Sequence, residues 1–352
     1  MNVTLIATRF SQGHGGIPRY AYDISEGLKK YCDIERMAVL NSAIIRFPPS
    51  FSFINKITYL FFHSNLLRNK NIHVLEQGLV PARYLELPRK KILTLHDLSI
   101  FDKDVHNIHP SEAGIIKKYL VDKTVWKLSS ALSKRVTKSA TLYDHIITVS
   151  ETSKEDIIKK LGIEKDKITI IYPIVDNKFR PLTVNKSEKT IIGYINSYGY
   201  DRTKYLKIFI SAFKEVKDND LELHLYGRGF TLQDFIKDDK RIKYLGFAPE
   251  KDIVHITNTF SVFLSTSSRE GFGLPIMQAK GCKVPVMCYD GDLPKIIKQN
   301  TLLWNESNVK KLIEKRAWEM IDTKRAAKDI ELCRSSVVIP QIFEIYKKIF
   351  EQ

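Results

Sequence analysis

The chain has 352 residues, 43% of them hydrophobic and 27% charged, a globular composition with length enough for two domains and two sizeable cores. No apolar run approaches the roughly 18 residues of a membrane span, and neither a low-complexity tract nor a repeat at solenoid spacing is present. The formal net charge is +16, of which +10 falls in residues 1–180 and +6 in 181–352; that suits an anionic partner such as a nucleotide, a phosphorylated lipid, a membrane surface or nucleic acid, or serves solubility alone.

In chain order, "VTLIATR" (3–9) reads as a first strand. The preceding residues lack the basic start and long apolar stretch of a signal peptide, so a cytoplasmic location is expected. Residues 17–31 read as an amphipathic helix. "IHVLEQ" (72–77), "KILTLHD" (91–97), "HIITVS" (145–150) and "ITIIYP" (168–173) read as buried strands, with helices at about 111–139 and 151–161. This alternation implies a parallel sheet covered on both faces. Residues 173–189, "PIVDNKFRPLTVNKSEK", hold two prolines and no periodicity, and read as a linker. The rhythm then restarts. Strands are expected at 190–195, 221–227, 242–247, 262–267 and 284–290, helices at 203–216 and about 308–330, and a closing amphipathic helix in "IPQIFEIYKKIFEQ". Cys32, Cys282, Cys288 and Cys333 show no CxxC spacing, which argues against a zinc or redox pair and fits a reducing compartment. Two doubly wound α/β halves follow, and in such sheets ligands bind beyond the carboxyl ends of the strands.

The most informative stretch is "SREGFGLPIMQAKG" (268–281), between a strand and a helix. Its glycines let the backbone pass close to a ligand. Pro275 suits the first helical position, and the amides near Phe272, Gly273 and Leu274 would point at negative charge. Glu270 can accept hydrogen bonds from sugar hydroxyls, and Gln278, further into the helix, can reach another polyol. A helix cap with incidental polar residues is the competing reading. His96, at the carboxyl end of "KILTLHD", is a second candidate, weighed against a structural histidine.

"EGFGLPIMQA" resembles the E-x7-E motif of the retaining glycosyltransferases of family 4, which have the GT-B fold. The resemblance implies α/β architecture with two Rossmann-like domains facing a central cleft. It implies an acceptor-side domain over 1–175 joined by a crossover helix at about 338–352, a linker over 176–189, and a donor-binding domain over 190–337. It implies that Glu270 contacts the donor sugar and that the second position contacts the ribose. Here that position is Gln278, which keeps a hydrogen-bonding group and loses the charge-assisted bond. "GHGGIPRYAYDISEGL" (13–28) is similar to the family's glycine loop, so Gly15 and Gly16 would approach the diphosphate. "LTLHDLS" (93–99) is similar to the family's His-Asp-Leu, with His96 facing the donor sugar. "INSYGYDRTKYLKIFISAF" resembles the segment whose arginine and lysine hold the pyrophosphate. Lys204 matches that lysine and Arg202 stands in for the arginine. Ala248, in "YLGFAPEKDI", matches a contact to the base. No metal and no cofactor beyond the nucleoside diphosphate sugar are implied.

The expected activity is therefore metal-independent transfer of a sugar from a nucleoside diphosphate to an acceptor with retention. Two alternatives stand beside it. One is a nucleic-acid-binding or DNA-modifying protein on the same scaffold, although no recognition-helix or RNP-like motif supports nucleic acid as a partner. The other is a nucleotide-sugar epimerase. A dinucleotide-dependent dehydrogenase is disfavoured, because no G-x-G-x-x-G follows the first strand. The Phe-rich 47–70 and the basic 115–138 have two readings: a surface that meets anionic membrane, or core-packed helices with lysines on the wet face.

Overall fold

The structure is a computed structural model. It describes residues 1–12, 16–39, 64–77, 79, 85–98, 131, 134, 137–196, 200–227 and 236–352, with only the backbone at 200–202. Gly15, the side chain of Arg202, the helix expected at 111–139 and most of the 47–70 and 115–138 segments lie outside the described residues. The chain forms two compact units, Met1–Ile174 with Ser335–Gln352, and Val175–Arg334.

The first unit holds six parallel strands in the order β2-β1-β3-β4-β5-β6: β1 (Asn2–Ala7), β2 (Asp33–Ala38), β3 (Asn71–Val74), β4 (Lys90–Leu95), β5 (His145–Thr148) and β6 (Ile168–Ile170). Its central strands are continuous apolar runs because both faces are covered. One face carries α1 (Gly16–Leu28) and α9 (Ser335–Phe350), whose Tyr20, Ile24, Ile339, Ile342 and Tyr346 share a core with Val3 and Leu5. The helices approach so closely at Gly27 that a Cβ there would sit 2.4 Å from Ile339 Cδ1. On the other face Ile157, from α2 (Glu151–Leu161), joins Ile6, Val74, Leu95 and Ile146. α2 is a locally well-marked helix: the Ser150 hydroxyl caps the Ser153 N–H, Glu151 opens the first turn, and Gly162 closes it at φ 67°.

A polar chain runs through this core. His73 Nδ1 lies 2.6 Å from the Tyr346 hydroxyl and His73 Nε2 lies 2.8 Å from Thr94 Oγ1, which is 3.2 Å from the Tyr20 hydroxyl. All four side chains are buried. Mutual hydrogen bonding offsets the desolvation that would otherwise make them costly.

The second unit holds β7 (Thr190–Ile195), β8 (Leu221–Tyr226), β9 (Ile242–Tyr244), β10 (Val262–Ser265), β11 (Val286–Tyr289) and β12 (Leu302–Trp304), all parallel, in the order β12-β11-β10-β7-β8-β9. α3 (Tyr200–Glu215) buries Leu206, Phe209, Ile210 and Phe213 against the sheet together with Trp304 and Trp318. The remaining helices are α4 (Ile253–Thr259), α5 (Leu274–Gly281), α6 (Lys295–Lys298), α7 (Val309–Glu314) and α8 (Thr323–Lys328).

Four sequence expectations change. β2 and β12 are additional edge strands. β2, "DIERMA", is charged and largely exposed, as solvent-facing edges are, so it lacks the apolar run that marks a strand. β12 is three residues long. The helical stretch expected at 308–330 is broken into α7, a 3-10 turn at Ala317–Met320 and α8, with Arg316 at φ 46° between the first two. α9 begins at Ser335, before Pro340, which lies inside the helix. The proline removes one backbone donor, and the buried stripe from Val338 to Phe350 outweighs that loss.

Candidate functional site

In the second unit, β10 ends at Ser265 and the chain turns through buried Thr266 and Ser267 into the glycine loop. Glu270 is half-buried, and its Oε1 accepts a 2.6 Å hydrogen bond from the Ser267 hydroxyl. The loop ends at Gly273, which sits at φ 70° as the N-cap of α5. A Cβ at Gly273 would be strained at that φ and would lie 2.6 Å from Ile297 Cδ1. Leu274, not Pro275, is the first helical residue. Pro275 removes one first-turn donor and the Ile276 N–H turns back onto the Gly273 carbonyl at 2.9 Å. The Gly273 and Leu274 amides therefore remain as the loop's donors towards an anion. Gln278 lies half-buried two residues before the buried Lys280.

The sequence reading missed what braces this loop. "DGD" (290–292) directly follows β11. Asp292 N–H donates to the Ser268 carbonyl at 2.7 Å, and the Asp292 carbonyl accepts from Glu270 N–H at 3.4 Å. Gly291 is required here, because a Cβ would fall 2.1 Å from the Ser268 carbonyl oxygen. Glycine between two aspartates just past a strand was the available signal. The Asp290 and Asp292 carboxylates pair with Lys298 at 3.4 Å and Arg269 at 3.5 Å.

Lys204 is exposed in the second turn of α3, its Nζ 5.0 Å from the centre of the Tyr205 ring. The Tyr205 ring packs on Tyr289, at the end of β11, with centroids 3.8 Å apart. Ala248 is buried beyond β9. The loop before it is tied to the end of β8 by Gly227 N–H to the Gly246 carbonyl, 2.8 Å, and by the Tyr244 hydroxyl to the Gly227 carbonyl, 2.8 Å.

In the first unit, Gly16 opens α1 with open space where a Cβ would stand. His96 follows β4 directly and is 9% exposed. Its Nε2 lies 2.9 Å from the Leu75 carbonyl, which can only accept, so Nε2 carries the proton. Burial pushes its pKa down, against the pull of the Leu75 bond and of Asp97 and Glu76. The ring is thus neutral near pH 7, with Nδ1 as its acceptor atom. Its backbone is held by Ser153 Oγ, which donates to the His96 carbonyl at 3.0 Å, and by Gln77 Oε1, which accepts the His96 N–H at 3.3 Å. Tyr20 meets the imidazole edge-on at 4.7 Å. Sequence reasoning did not single out Ser153 or Tyr20, because contacts across elements leave no local pattern.

Residues 14–179 match the family described as Glycosyltransferase Family 4, and residues 189–318 match the one described as Glycosyl transferases group 1. The chain is similar to the human protein of the phosphatidylinositol N-acetylglucosaminyltransferase, 23% identical over 337 residues, covering 89% of this chain and 67% of that one. It is also similar to O-antigen chain mannosyltransferase B of Escherichia coli, 24% identical over 271 residues, 67% of this chain and 64% of that one. Among solved structures it resembles Anabaena HepE in complex with UDP-glucose, with a TM-score of 0.62 and 15% identity over 99% of this chain and 100% of that one. The two matched regions together take in most of the chain, and the chain belongs to glycosyltransferase family 4, the glycosyl transferases group 1, with the GT-B fold.

Proposed function

We propose that this protein transfers a sugar from a nucleoside diphosphate sugar to an acceptor hydroxyl, with retention at the anomeric carbon and without a metal ion. The observation that carries the reading is Glu270, set by Ser267 beside the amides of Gly273 and Leu274. A carboxylate for sugar hydroxyls and a helix N-terminus for phosphate stand within one loop. In this reading Glu270 binds the donor sugar, Gly273 and Leu274 meet the diphosphate, and Phe272 walls the loop. Lys204 and Arg202 neutralise the leaving diphosphate, Gly15 and Gly16 approach it, Gln278 reaches the ribose and Ala248 lies by the base. Neutral His96 accepts from a substrate hydroxyl at Nδ1. The pathway is front-face attack, with the leaving diphosphate accepting the acceptor's proton while fixed donors stabilise its charge.

The alternatives of nucleic-acid binding and sugar epimerisation draw no support from the relatives, whose names are those of sugar transferases. Those names carry different sugars and acceptors, and HepE was solved with a uridine diphosphate sugar. The experiment is a panel of UDP-, GDP- and ADP-sugars tested for thermal stabilisation and slow hydrolysis. At least one is expected to stabilise the protein and to be hydrolysed; a panel with neither effect overturns the reading. For the acceptor, a surface that meets anionic lipid remains part of the proposal. No helix among the described residues is long and apolar enough to cross a membrane.

A further inference from the structure

Lys280, on α5, is 0% exposed. A buried ammonium is costly unless its donors are matched. Lys280 matches all three: its Nζ donates to the carbonyls of Ile296 at 2.9 Å, Ile297 at 3.1 Å and Gln299 at 2.6 Å. These lie at the end of the one-turn helix α6, where carbonyls otherwise lack partners. Asp329 Oδ2, buried and without a hydrogen-bond partner among the described residues, is 3.8 Å from Nζ and adds an opposite charge. From the same turn of α6, Ile297 Cδ1 reaches the space above Gly273. The segment 290–299 is thus tied at both ends. At one end Asp292 pairs with Ser268 and Glu270, and at the other Lys280 holds the carbonyls behind Ile297.

We propose that Lys280 is a positioning residue for the donor loop: by holding the end of α6 it keeps Ile297 against Gly273, and so sets where the Gly273 and Leu274 amides and Glu270 stand. This rests on the donor-site reading above. A lysine used only for stability would not need to reach the turn whose side chain roofs the loop. Nor would the segment it holds also brace Glu270.

The test compares wild type, Lys280→Met and Ile297→Ala, each at a temperature where its unfolding curve shows it folded. UDP, GDP and ADP binding is measured by calorimetry, and donor hydrolysis gives KM and kcat. Lys280→Met is expected to lower Tm and to raise the Kd of the bound nucleotide and the donor KM about tenfold, as misplacement of binding groups does, with kcat changed far less. Ile297→Ala, which leaves the buried cation paired, is expected to shift Kd in the same direction by a smaller factor. A lowered Tm with unchanged Kd in Lys280→Met overturns the proposal and leaves the donor site standing. If Lys280→Met does not fold, an unchanged Kd in Ile297→Ala overturns it. Wild-type protein that binds none of the three nucleotides overturns the donor reading and this proposal together.

Discussion

The Ser267 hydroxyl donates to Glu270 Oε1 at 2.6 Å. That bond orients the side chain through one of its two carboxylate oxygens. Glu270→Gln keeps the shape and removes the charge. Turnover is expected to fall at least about tenfold, roughly 1.4 kcal/mol. Ser267→Ala, which frees the rotamer only, is expected to cost less. Gln278→Glu is expected to tighten donor binding or leave it unchanged, with little effect on kcat, since a ribose contact is the same in ground and transition states. Steady-state kinetics on the three variants decide it; a silent Glu270→Gln beside an inactive Gln278→Glu would mean that the reacting sugar lies elsewhere.

Lys204 is exposed in the second turn of α3 with its Nζ over the Tyr205 ring, so its charge is available to a ligand. Lys204→Ala is expected to cost about 2–4 kcal/mol of transition-state stabilisation, as removal of a preorganised charge partner does. The readout is kcat/KM for the donor, with Tm as a control that is expected not to move. Wild-type turnover in this variant would displace the diphosphate from this side of the unit.

Much of this was legible because the patterns are local. The buried central strands announced themselves as β-branched runs, and the loop from Glu270 to Leu274 as glycines ahead of a proline. β2 and β12 were hidden because an edge strand needs no apolar run: Asp33, Glu35 and Arg36 face water while their backbone still pairs with β1. Lys280 was hidden for the converse reason. Its sequence neighbours give no sign that a lysine is buried, because its partners are carbonyls 16 to 19 residues away. Asp292 and Ser268, and likewise Ser153 and His96, meet only through the sheet.

Gly273→Ala tests the loop from the backbone side. At φ 70° an L-residue costs about 1–2 kcal/mol, and the added Cβ must also displace Ile297 Cδ1 from 2.6 Å. The expected result is lower stability in urea and weaker nucleotide binding. Gly16→Ala, where nothing crowds the new methyl, is expected to leave stability nearly unchanged. Equal stability of the two variants would contradict the packing of Ile297 on the loop.

Treatment with EDTA is expected to leave donor hydrolysis intact. The aspartates that directly follow β11, Asp290 and Asp292, already face Lys298 and Arg269, so cations of the protein stand where a divalent ion would bind. Activity lost to EDTA and restored by Mn²⁺ would reverse this assignment; Asp292→Asn should then abolish the Mn²⁺ response.

The last prediction concerns acid. Burial pushes the pKa of His73 down to about 3, helped by the nearby His145 and His96, and pushes that of His145 down to about 4, helped by Lys348 and Lys154. The ordinary value in an unfolded chain is about 6.5. Below about pH 6.5 the unfolded state therefore binds protons that the folded state refuses, and stability must fall as pH falls. The slope approaches about 1.4 kcal/mol per pH unit for each histidine and continues until each folded-state pKa is reached. Carboxylates act lower. Asp218 and Asp239, held below their ordinary range by hydrogen bonds from Arg316 and Arg241, lose their contribution only below about pH 4. The window from pH 6.5 to 5 thus isolates the histidines, and urea unfolding across it should show a loss of about 2–4 kcal/mol. Because His73 bridges Tyr346 of α9 and Thr94 of β4, its protonation would cost the chain one of these bonds. A neutral His73 uses one ring nitrogen as donor and the other as acceptor, and a protonated ring has no acceptor left. Stability that stays flat from pH 7.5 to 5 would mean that His73 and His145 titrate in the folded state as they do in water, which the buried network under His96 does not allow.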